Sequence, residues 1–527
     1  MMEQNKQEYS VRPALAGLAR RPFLWAALVV LAAVGYGYAM AVPAVDMDDL
    51  AIATYQQGGE FLRQGRFTVW LLQAATGIMN YQPFWPEFFF ALCLVLAGVL
   101  LAAVLYTAAE RPAAVPGALL LAGGLLLWPY HAEILMYSNQ CGVGLGYLLC
   151  AGAACLVWPG MAGGWRRSLP GGAGAAVCLM FALGLYESFA PVWLTLVFAL
   201  LLAAPPRSLR RGVGALLRGL WPLAAGLVLR SGAAAALCAA MGVTGENGSA
   251  AKTIFWFRRE SLRDAILIPL REFLTKYGAE ALAVPALALL LLACLALVVW
   301  AVPRRGRRLW ALGLLLSQFS LGLLQGTGSQ MARACQCFAV FVPFVAWLWL
   351  GRALDNHRKP LRAVFCLVLA VVLLGTEAWA LTDDLRFGRD RWQYEKSILE
   401  QTAADLAALD PAGTLPVVFT GEIELSPELE ARAAIPAGHP AYTAAWVVAT
   451  ALDGPQGTLY RYENPQTLVI NWAQTAFGSH EQMYLLMEEL GHVYARPTAE
   501  QQAAGDALAE TLPAGVSKQE GYLLVCF

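Results

Sequence analysis

Apolar runs long enough to cross a lipid bilayer, which takes about 17–25 residues, dominate this sequence. Eleven of them lie near residues 23–43, 86–109, 113–129, 141–159, 172–187, 189–204, 218–241, 278–302, 308–324, 334–351 and 362–381. Over the whole chain 58% of the residues are hydrophobic and 14% are charged, whereas about 25% are charged in an average soluble protein. We therefore expect an all-α polytopic membrane protein with about 11 transmembrane helices.

The distribution of Lys and Arg between these runs predicts the orientation of the chain. If residues 1–22 are cytoplasmic, the loops on that side carry nineteen cations and the opposite loops carry nine before the tail. Such an excess is typical of the cytoplasmic face. The first run is longer than the about 7–15 residues of a signal-peptide core, so we interpret it as a retained span. Eleven spans then put the C-terminal region outside the cytoplasm.

The long loops and the tail define the predicted domains. The membrane domain is expected at 23–381, with outer loops at 44–85 and 242–277. In the second loop Arg259 and Arg263 lie one turn apart beside an apolar face, which predicts a cationic helix on the membrane surface. In residues 382–527, Asp390–Leu409 has helical periodicity and Leu415–Thr420 has the pattern of a buried strand. These signals predict a small extracytoplasmic α/β domain.

Three acids, Asp46, Asp48 and Asp49, follow the first run directly. Acids at the water-facing end of a span indicate function by default. A carboxylate there could act as a general base toward an acceptor hydroxyl, or hold a divalent cation, Mg²⁺ or Mn²⁺, that organises phosphate oxygens. We rank Asp48 and Asp49 first as catalytic residues and metal ligands. The alternative is that Asp48 caps a helix, and capping would not exclude catalysis.

Other polar residues of the outer loops are candidates for substrate binding. Arg66 and Arg333 carry the planar fork that binds phosphate, although arginines near headgroups also snorkel toward water. The loop after the third run offers groups that suit sugar hydroxyls, namely His131, Glu133, Tyr137 and Asn139. Glu187, between two apolar runs, and Arg230, inside the seventh run, each need a partner.

Several familiar signatures are absent from the sequence. We find no Walker A loop, no dinucleotide fingerprint, no His-Glu-x-x-His and no Gly-x-Ser-x-Gly. Most of the eleven cysteines lie in apolar runs, and the closest pair, Cys335 and Cys337, has no further metal ligands nearby. An energised donor would therefore have to reach this chain through the membrane.

The order of these parts resembles the bacterial membrane glucosyltransferases of the glucosyltransferase II type, within the C-type glycosyltransferase architecture. The matching parts are Asp48-Asp49, Gly65-Arg66-Phe67, the loop from Glu133 to Asn139, Gly184-Leu-Tyr-Glu-Ser-Phe189, Arg333 leading into Pro343, and Asp383-Asp384. The resemblance in organisation extends to about residue 425. It implies transfer of a hexose, with glucose the first choice, from a polyprenyl-phosphate carrier to a cell-surface glycan on the outer face.

The resemblance also implies roles for individual residues. Asp48 or Asp49 would serve as base or metal ligand, and Arg66 and Arg333 would bind phosphate. The surface helix with Arg259 and Arg263 would meet the carrier lipid. The expected partners are the lipid-linked donor, the glycan acceptor and the bilayer, with no nucleic acid.

Two other functions stay open. A transporter or flippase for lipid-linked glycans would also need many spans and outer-face cations. It should, however, show broken helices or paired acids near the bilayer midplane, related by an internal repeat, and the sequence has no such repeat. The third hypothesis is a non-catalytic envelope assembly protein whose tail binds partners.

Overall fold

The computed structural model describes residues 9–45, 49, 59–78, 84–135, 141–244, 261, 263, 285–318, 320, 335–355, 360–434, 468–475 and 480–527. Its membrane part consists of helices, which we number α1 Arg12–Ala19, α2 Pro22–Ala41, α3 Glu60–Arg63, α4 Phe67–Thr76, α5 Trp85–Ala108, α6 Val115–Leu126, α7 His131–Leu135, α8 Val143–Gly163, α9 Trp165–Leu183, α10 Phe189–Ala203, α11 Leu209–Ala240, α12 Pro285–Ala301, α13 Arg308–Ser317, α14 Phe338–Leu354 and α15 Pro360–Leu409.

Every predicted span overlaps one of these helices, and local sequence explains several of their ends. A proline stands in the first turn of α2 and of α5, where its missing N–H costs nothing. By length and composition, five of the described helices can cross a membrane, namely α2, α5, α8, α11 and α15. The chain is thus a helical membrane protein, while the count of eleven spans stays a prediction.

Helices α5 and α6 pack closely against each other. A Cβ atom on Gly98 of α5 would lie 2.6 Å from the Cα atom of Ala122 in α6, so only glycine permits this approach. Helix α11 instead exposes much of its apolar surface, with Val228 72% exposed. Exposed apolar side chains on a span face lipid in a membrane protein. The core therefore lies around α5, α6, α8 and α10, and α11 lies at its edge.

Helix α15 joins the membrane part to the tail without a break. Its 50 residues correspond to a length of about 75 Å, more than twice the roughly 30 Å hydrocarbon thickness. The predicted helix at Asp390–Leu409 is confirmed as its second half. The predicted domain boundary at 381 falls inside this helix, and it stays a prediction.

The rest of the tail packs on the second half of α15. It contains β1 Val417–Thr420, α16 Pro427–Ala433, α17 Val469–Thr475, α18 Glu481–Glu489, α19 Ala499–Ala509, β2 Gly515–Gln519 and β3 Tyr522–Cys526. The strand order is β1-β3-β2, with β1 parallel and β2 antiparallel to β3. Strand β1 confirms the strand predicted at Leu415–Thr420, so the tail has the expected mixture of helices and a small sheet.

The chain that follows α2 begins inside the core of the tail. Ala44 and Val45 are buried in the same hydrophobic cluster as Trp392 and Leu399 of α15 and Phe419 of β1. Because they directly precede the acidic segment, the backbone that leads into the acids is held by the tail.

Candidate functional site

The segment Gly65-Arg66-Phe67 docks onto the junction between α9 and α10. Gly65 has a φ of +71°, which a residue with a Cβ atom rarely adopts, and it turns the chain between α3 and α4. The backbone N–H of Thr68 donates to the Gly184 carbonyl at 3.1 Å, and the Thr68 hydroxyl donates to the Phe181 carbonyl at 2.8 Å. These bonds hold the start of α4 at the end of α9.

Arg66 lies against Tyr186 in this junction. The centre of its guanidinium is 4.3 Å from the centroid of the Tyr186 ring, within the range of a cation–π contact. A guanidinium is planar. It stacks on an aromatic ring through its face, and it donates hydrogen bonds within its plane. Tyr186 therefore fixes the orientation in which the fork of Arg66 is presented.

A small pocket opens beside this pair. Its lining residues come from the docked loop, the start of α8 and the α9–α10 junction, and they are Phe61, Arg66, Val69, Gly142, Val143, Leu185 and Tyr186. The empty space is about 260 Å³, including the part that is open to solvent. Sites for drug-sized ligands span about 300–1,000 Å³. Because the figure for this pocket includes open solvent, its enclosed part is far smaller, and a whole lipid-linked sugar does not fit in it.

An ion pair between Arg230 and Glu187 lies beside the docked loop. Arg230 Nη2 lies 2.5 Å from Glu187 Oε1 and also donates to the Gln64 carbonyl at 3.3 Å. Its side chain is 11% exposed and that of Glu187 is 23% exposed. The sequence required a partner for Arg230 and for Glu187, and each is the partner of the other. Together they tie α11, the α9–α10 junction and the docked loop into one unit.

The acidic side of the site lies next to Gly142. Asp49 is buried, with 8% of its surface exposed. Cys141, also buried, lies within electrostatic range of both Glu87 and Asp49. Since Gly142 lines the pocket beside Arg66, the chain at 141–142 connects the acids with the arginine pocket.

Glu87 and Arg389 link this acidic side to the tail. Arg389 Nη2 lies 2.5 Å from Glu87 Oε1, and Arg389 Nε donates to the Val42 carbonyl at 3.3 Å. The two side chains are 3% and 11% exposed, for Arg389 and Glu87 respectively. A buried cation with a single carboxylate and a backbone carbonyl is a strong anchor. It fixes α15 to the end of α2, three residues before Val45.

His131 belongs to an aromatic layer under these groups. Its ring meets Phe90 edge-on at 5.2 Å and Tyr147 at 5.6 Å between centroids. Burial lowers the pKa of His131 to about 4, so the ring is neutral and its Nε2–H donates to the Leu125 carbonyl at 2.8 Å. In this structure His131 packs in the core, and its proposed contact with substrate stays a prediction.

A polar contact joins the α9–α10 junction to the start of α14. Ser188 donates from Oγ to Oε1 of Gln336 at 2.5 Å, and the Tyr147 hydroxyl donates to the Gln336 carbonyl at 2.7 Å. Gln336 follows Arg333 by three residues in the sequence. Sequence reasoning missed Glu87, Gln336 and Arg389, because a single polar residue at a helix end carries no periodic signal.

The remaining candidates are distributed as follows. Glu133 is half-buried in α7, and Arg263 is exposed. Asp48, Tyr137, Asn139, Arg259 and Arg333 lie outside the described residues. Within the described part of the chain, no group of three or more His, Cys, Asp or Glu residues could hold a metal ion. The predicted cation site at Asp48 and Asp49 includes one residue beyond that part, so it stays a prediction.

Comparison with known proteins bears on the whole site. The family model described as Glucosyl transferase GtrII matches residues 37–350. No curated protein matches the chain, and no solved structure does. The matched range includes Asp49, Arg66 and Tyr186, and it ends before Arg389 and the tail. Because the match covers more than half of the 527 residues, the chain belongs to the GtrII family of glucosyl transferases.

Proposed function

We propose that the protein moves a glucosyl residue from a polyprenyl-phosphate carrier to a cell-surface glycan on the outer face of the membrane. Asp48 or Asp49 acts as the general base, alone or through a bound divalent cation, and Arg66 with Arg333 holds the phosphate. The observation that carries this proposal is the docking of Gly65-Arg66-Phe67 onto Tyr186. It gives an arginine that lines the pocket a fixed orientation, in which its planar fork can meet a phosphate.

The contacts of the arginines around the pocket support different roles for them. Arg230 is matched by Glu187 and Arg389 is matched by Glu87, so these two cations serve to hold the structure together. Arg66 stacks on an aromatic ring and lines the pocket. A pocket-lining arginine and a buried acid, Asp49, which acts on the neighbouring Cys141, are suited to a reaction with a phosphate leaving group and a hydroxyl nucleophile.

The proposed reaction is one displacement. The oxygen of the acceptor hydroxyl bonds to the anomeric carbon, and its proton passes to the aspartate carboxylate. The bond between the anomeric carbon and the phosphate oxygen breaks, and its electron pair stays on the polyprenyl phosphate. The arginines stabilise the negative charge that develops there. A single displacement inverts the configuration at the anomeric carbon.

The acids are tested by transfer from a polyprenyl-phosphate sugar in proteoliposomes. We expect Asp48→Asn or Asp49→Asn to lower the rate about 100-fold or more, the usual contribution of a general base. Asp46→Asn is the matched control, since it removes the same charge from the same segment, and it should retain most of the rate. If both Asp48→Asn and Asp49→Asn transfer at the wild-type rate, the proposed base is wrong.

The proposed phosphate contact is tested with a second pair of variants. Arg66→Lys keeps the charge and loses the planar fork, and we expect the KM for the lipid-linked donor to rise about tenfold or more. Arg63→Lys is the control, because Arg63 lies on the same loop but pairs with Glu60 at 2.8 Å on the surface. Equal KM values for the two variants would exclude Arg66 from donor binding.

The transporter hypothesis lacks a structural counterpart in the described residues. Glu377 is fully buried in α15, and neither carboxyl oxygen has a hydrogen-bond partner. It lies four residues before the predicted end of its span, about 6 Å along the helix axis. A transporter acid is expected near the midplane, and Glu377 is therefore too close to one surface to support that function.

A further inference from the structure

Four arginines converge at the end of the bundle opposite the candidate site. They come from three separate parts of the chain and are Arg111, Arg304, Arg307 and Arg352, which we call the arginine cluster. Arg111 follows α5, whose first turn contains Glu87. The 24 residues of α5 span about 36 Å. The cluster is thus separated from the candidate site by roughly the thickness of a membrane.

The members of the cluster lie within range of one another's charge. The guanidinium of Arg307 is acted on by those of Arg304, Arg352 and Arg111, and burial together with these like charges lowers the pKa of Arg307. The carboxylate of Asp355 is the acid that acts on Arg111. Among the described residues, no member of the cluster forms an ion pair with a carboxylate. The four positive charges therefore outnumber the one described carboxylate that acts on the cluster, and they favour the binding of an anion.

Aromatic rings hold the guanidiniums in position. Arg304 and Arg307 both lie over the indole of Trp300, with distances of 4.6 and 4.8 Å to its centroid. Arg111 lies over Trp347 at 5.2 Å. Trp347 begins a π-helical turn, Trp347–Gly351, within α14, and such turns are frequent at functional sites. Arg111 Nη1 is buried and has no hydrogen-bond partner among the residues that the structure describes.

The surroundings of the cluster are apolar and exposed. On α12 and α13, next to the arginines, Val299 and Val302 are each 53% exposed, Leu309 is 50% exposed and Leu312 is 52% exposed. These surfaces face lipid chains in a membrane. A ligand that occupies the cluster can therefore place an anionic group on the arginines and apolar chains along α12 and α13, which a free ion cannot do.

We propose that the arginine cluster binds the phosphate of an anionic phospholipid headgroup. The guanidiniums donate hydrogen bonds to the phosphate oxygens in their planes while their faces remain on the indoles, and the acyl chains lie along α12 and α13. Basic pockets between transmembrane helices bind anionic headgroups in this way. The site does not depend on the sugar-transfer proposal, because it lies at the other end of α5 and shares no residue with it.

The test uses the full-length protein in detergent, with phosphatidylglycerol, phosphatidylcholine or inorganic phosphate added at equal phosphate concentration. Thermal unfolding is followed, and retained lipid is counted by native mass spectrometry. We expect phosphatidylglycerol to raise the unfolding temperature and to remain bound, and the other two additives to do neither. An equal shift with phosphatidylcholine would overturn the charge requirement, and an equal shift with inorganic phosphate would overturn the assignment to a lipid.

Variants localise the effect. Arg307→Gln should raise the phosphatidylglycerol concentration for half-maximal stabilisation about tenfold or more, the effect of losing a hydrogen bond to a charged group. Arg305→Gln is the matched control, since Arg305 lies in the same short turn, Arg305–Arg307, but is exposed, and it should change this concentration less than twofold. If Arg307→Gln does not fold, Arg111→Gln provides the same test. Equal effects of Arg305→Gln and either cluster variant would overturn the site.

Discussion

The arginines at the two ends of α5 differ in what they contact. At its first turn, Glu87 pairs with Arg389, and in the same layer Glu187 pairs with Arg230, both at 2.5 Å. Beyond its last turn, Arg111 stacks on Trp347 and faces three other arginines. Paired charges are satisfied within the protein, so they can fix loops around a reaction site. The positive charges beyond the last turn outnumber the described carboxylate that acts on them, Asp355, so they can attract an anion from outside the protein.

This difference also separates two uses of arginine at the candidate site itself. Arg230 and Arg389 are each matched by a glutamate, while Arg66 stacks on Tyr186 beside the pocket. Stacking on an aromatic ring is thus shared by the proposed phosphate ligand Arg66 and by the arginine cluster. In both places the ring fixes the orientation of the guanidinium.

The largest expected effect comes from breaking the pair that links α5 to α15. Arg389→Ala leaves Glu87 as a buried carboxylate without its cation, which costs about 3–5 kcal/mol. We expect a correspondingly lower thermal unfolding temperature in detergent. Arg386→Ala on the same helix is the control, because Arg386 is 62% exposed and its oxygen partner on Asp390 is 3.7 Å away. A loss in Arg389→Ala as small as that in Arg386→Ala would show that the pair contributes little.

The next effect concerns the pH dependence of stability at the site end. The pKa of His131 is about 4 in the folded protein, against about 6.5 in an unfolded chain. Between these values the unfolded chain binds a proton and the folded protein does not. The contribution of His131 to the free energy of unfolding therefore falls as the pH drops from about 6.5 to about 4, by up to about 3 kcal/mol, and levels off below that. Unfolding temperatures measured across this range give the slope.

Two variants assign this slope to one residue. His131→Leu should reduce the dependence on pH, because the buried ring that resists protonation is gone. His492→Gln removes a half-buried histidine of the tail and should leave the dependence as it is. An unchanged slope in His131→Leu would assign the effect to other groups.

A smaller effect is expected from a variant that tests how closely Gly65 of the docked loop packs against Arg230. A Cβ atom on Gly65 would lie 2.8 Å from Arg230 Nη2, so Gly65→Ala adds a clash to the strain of a positive φ. Gly242→Ala is matched, since Gly242 has a φ of +64° and open space around it. We expect Gly65→Ala to cost about 1–3 kcal/mol more than Gly242→Ala, measured by thermal unfolding. It should also lower the transfer rate, which Gly242→Ala should not. Equal values would mean that Arg230 moves aside freely.

The smallest effect is expected at the arginine cluster in neutral lipid. Arg307→Gln removes a cation–π contact of about 0.5–1 kcal/mol and also removes repulsion from three arginines. These terms oppose each other, so the stability in phosphatidylcholine should change by less than about 1 kcal/mol. Thermal unfolding of the variant and the wild type, side by side, provides the comparison. A loss as large as that in Arg389→Ala would mean that the cluster is internally satisfied and that the two ends of α5 do not differ.

Much of the helical architecture follows from the sequence by itself. The charge-free run from Phe23 to Val42 predicts α2, and the periodicity of Asp390–Leu409 predicts the second half of α15. Both depend on local spacing of apolar residues, which is a property of one element. The need of Arg230 for a partner also follows from the sequence, because an unpaired cation in an apolar run is costly wherever it packs.

The identity of the partners was decided by the tertiary structure. Arg389 and Glu87 are 302 residues apart, and nothing local to either residue indicates the other. The tertiary structure also decided that Ala44 and Val45 are buried against the tail. It likewise placed Arg66 against Tyr186. A helix end or loop acquires its neighbours from the packing of whole helices, through apolar contacts spread along their length. The sequence thus determined which residues had to be buried, held in a turn or paired, and the fold decided with which partner.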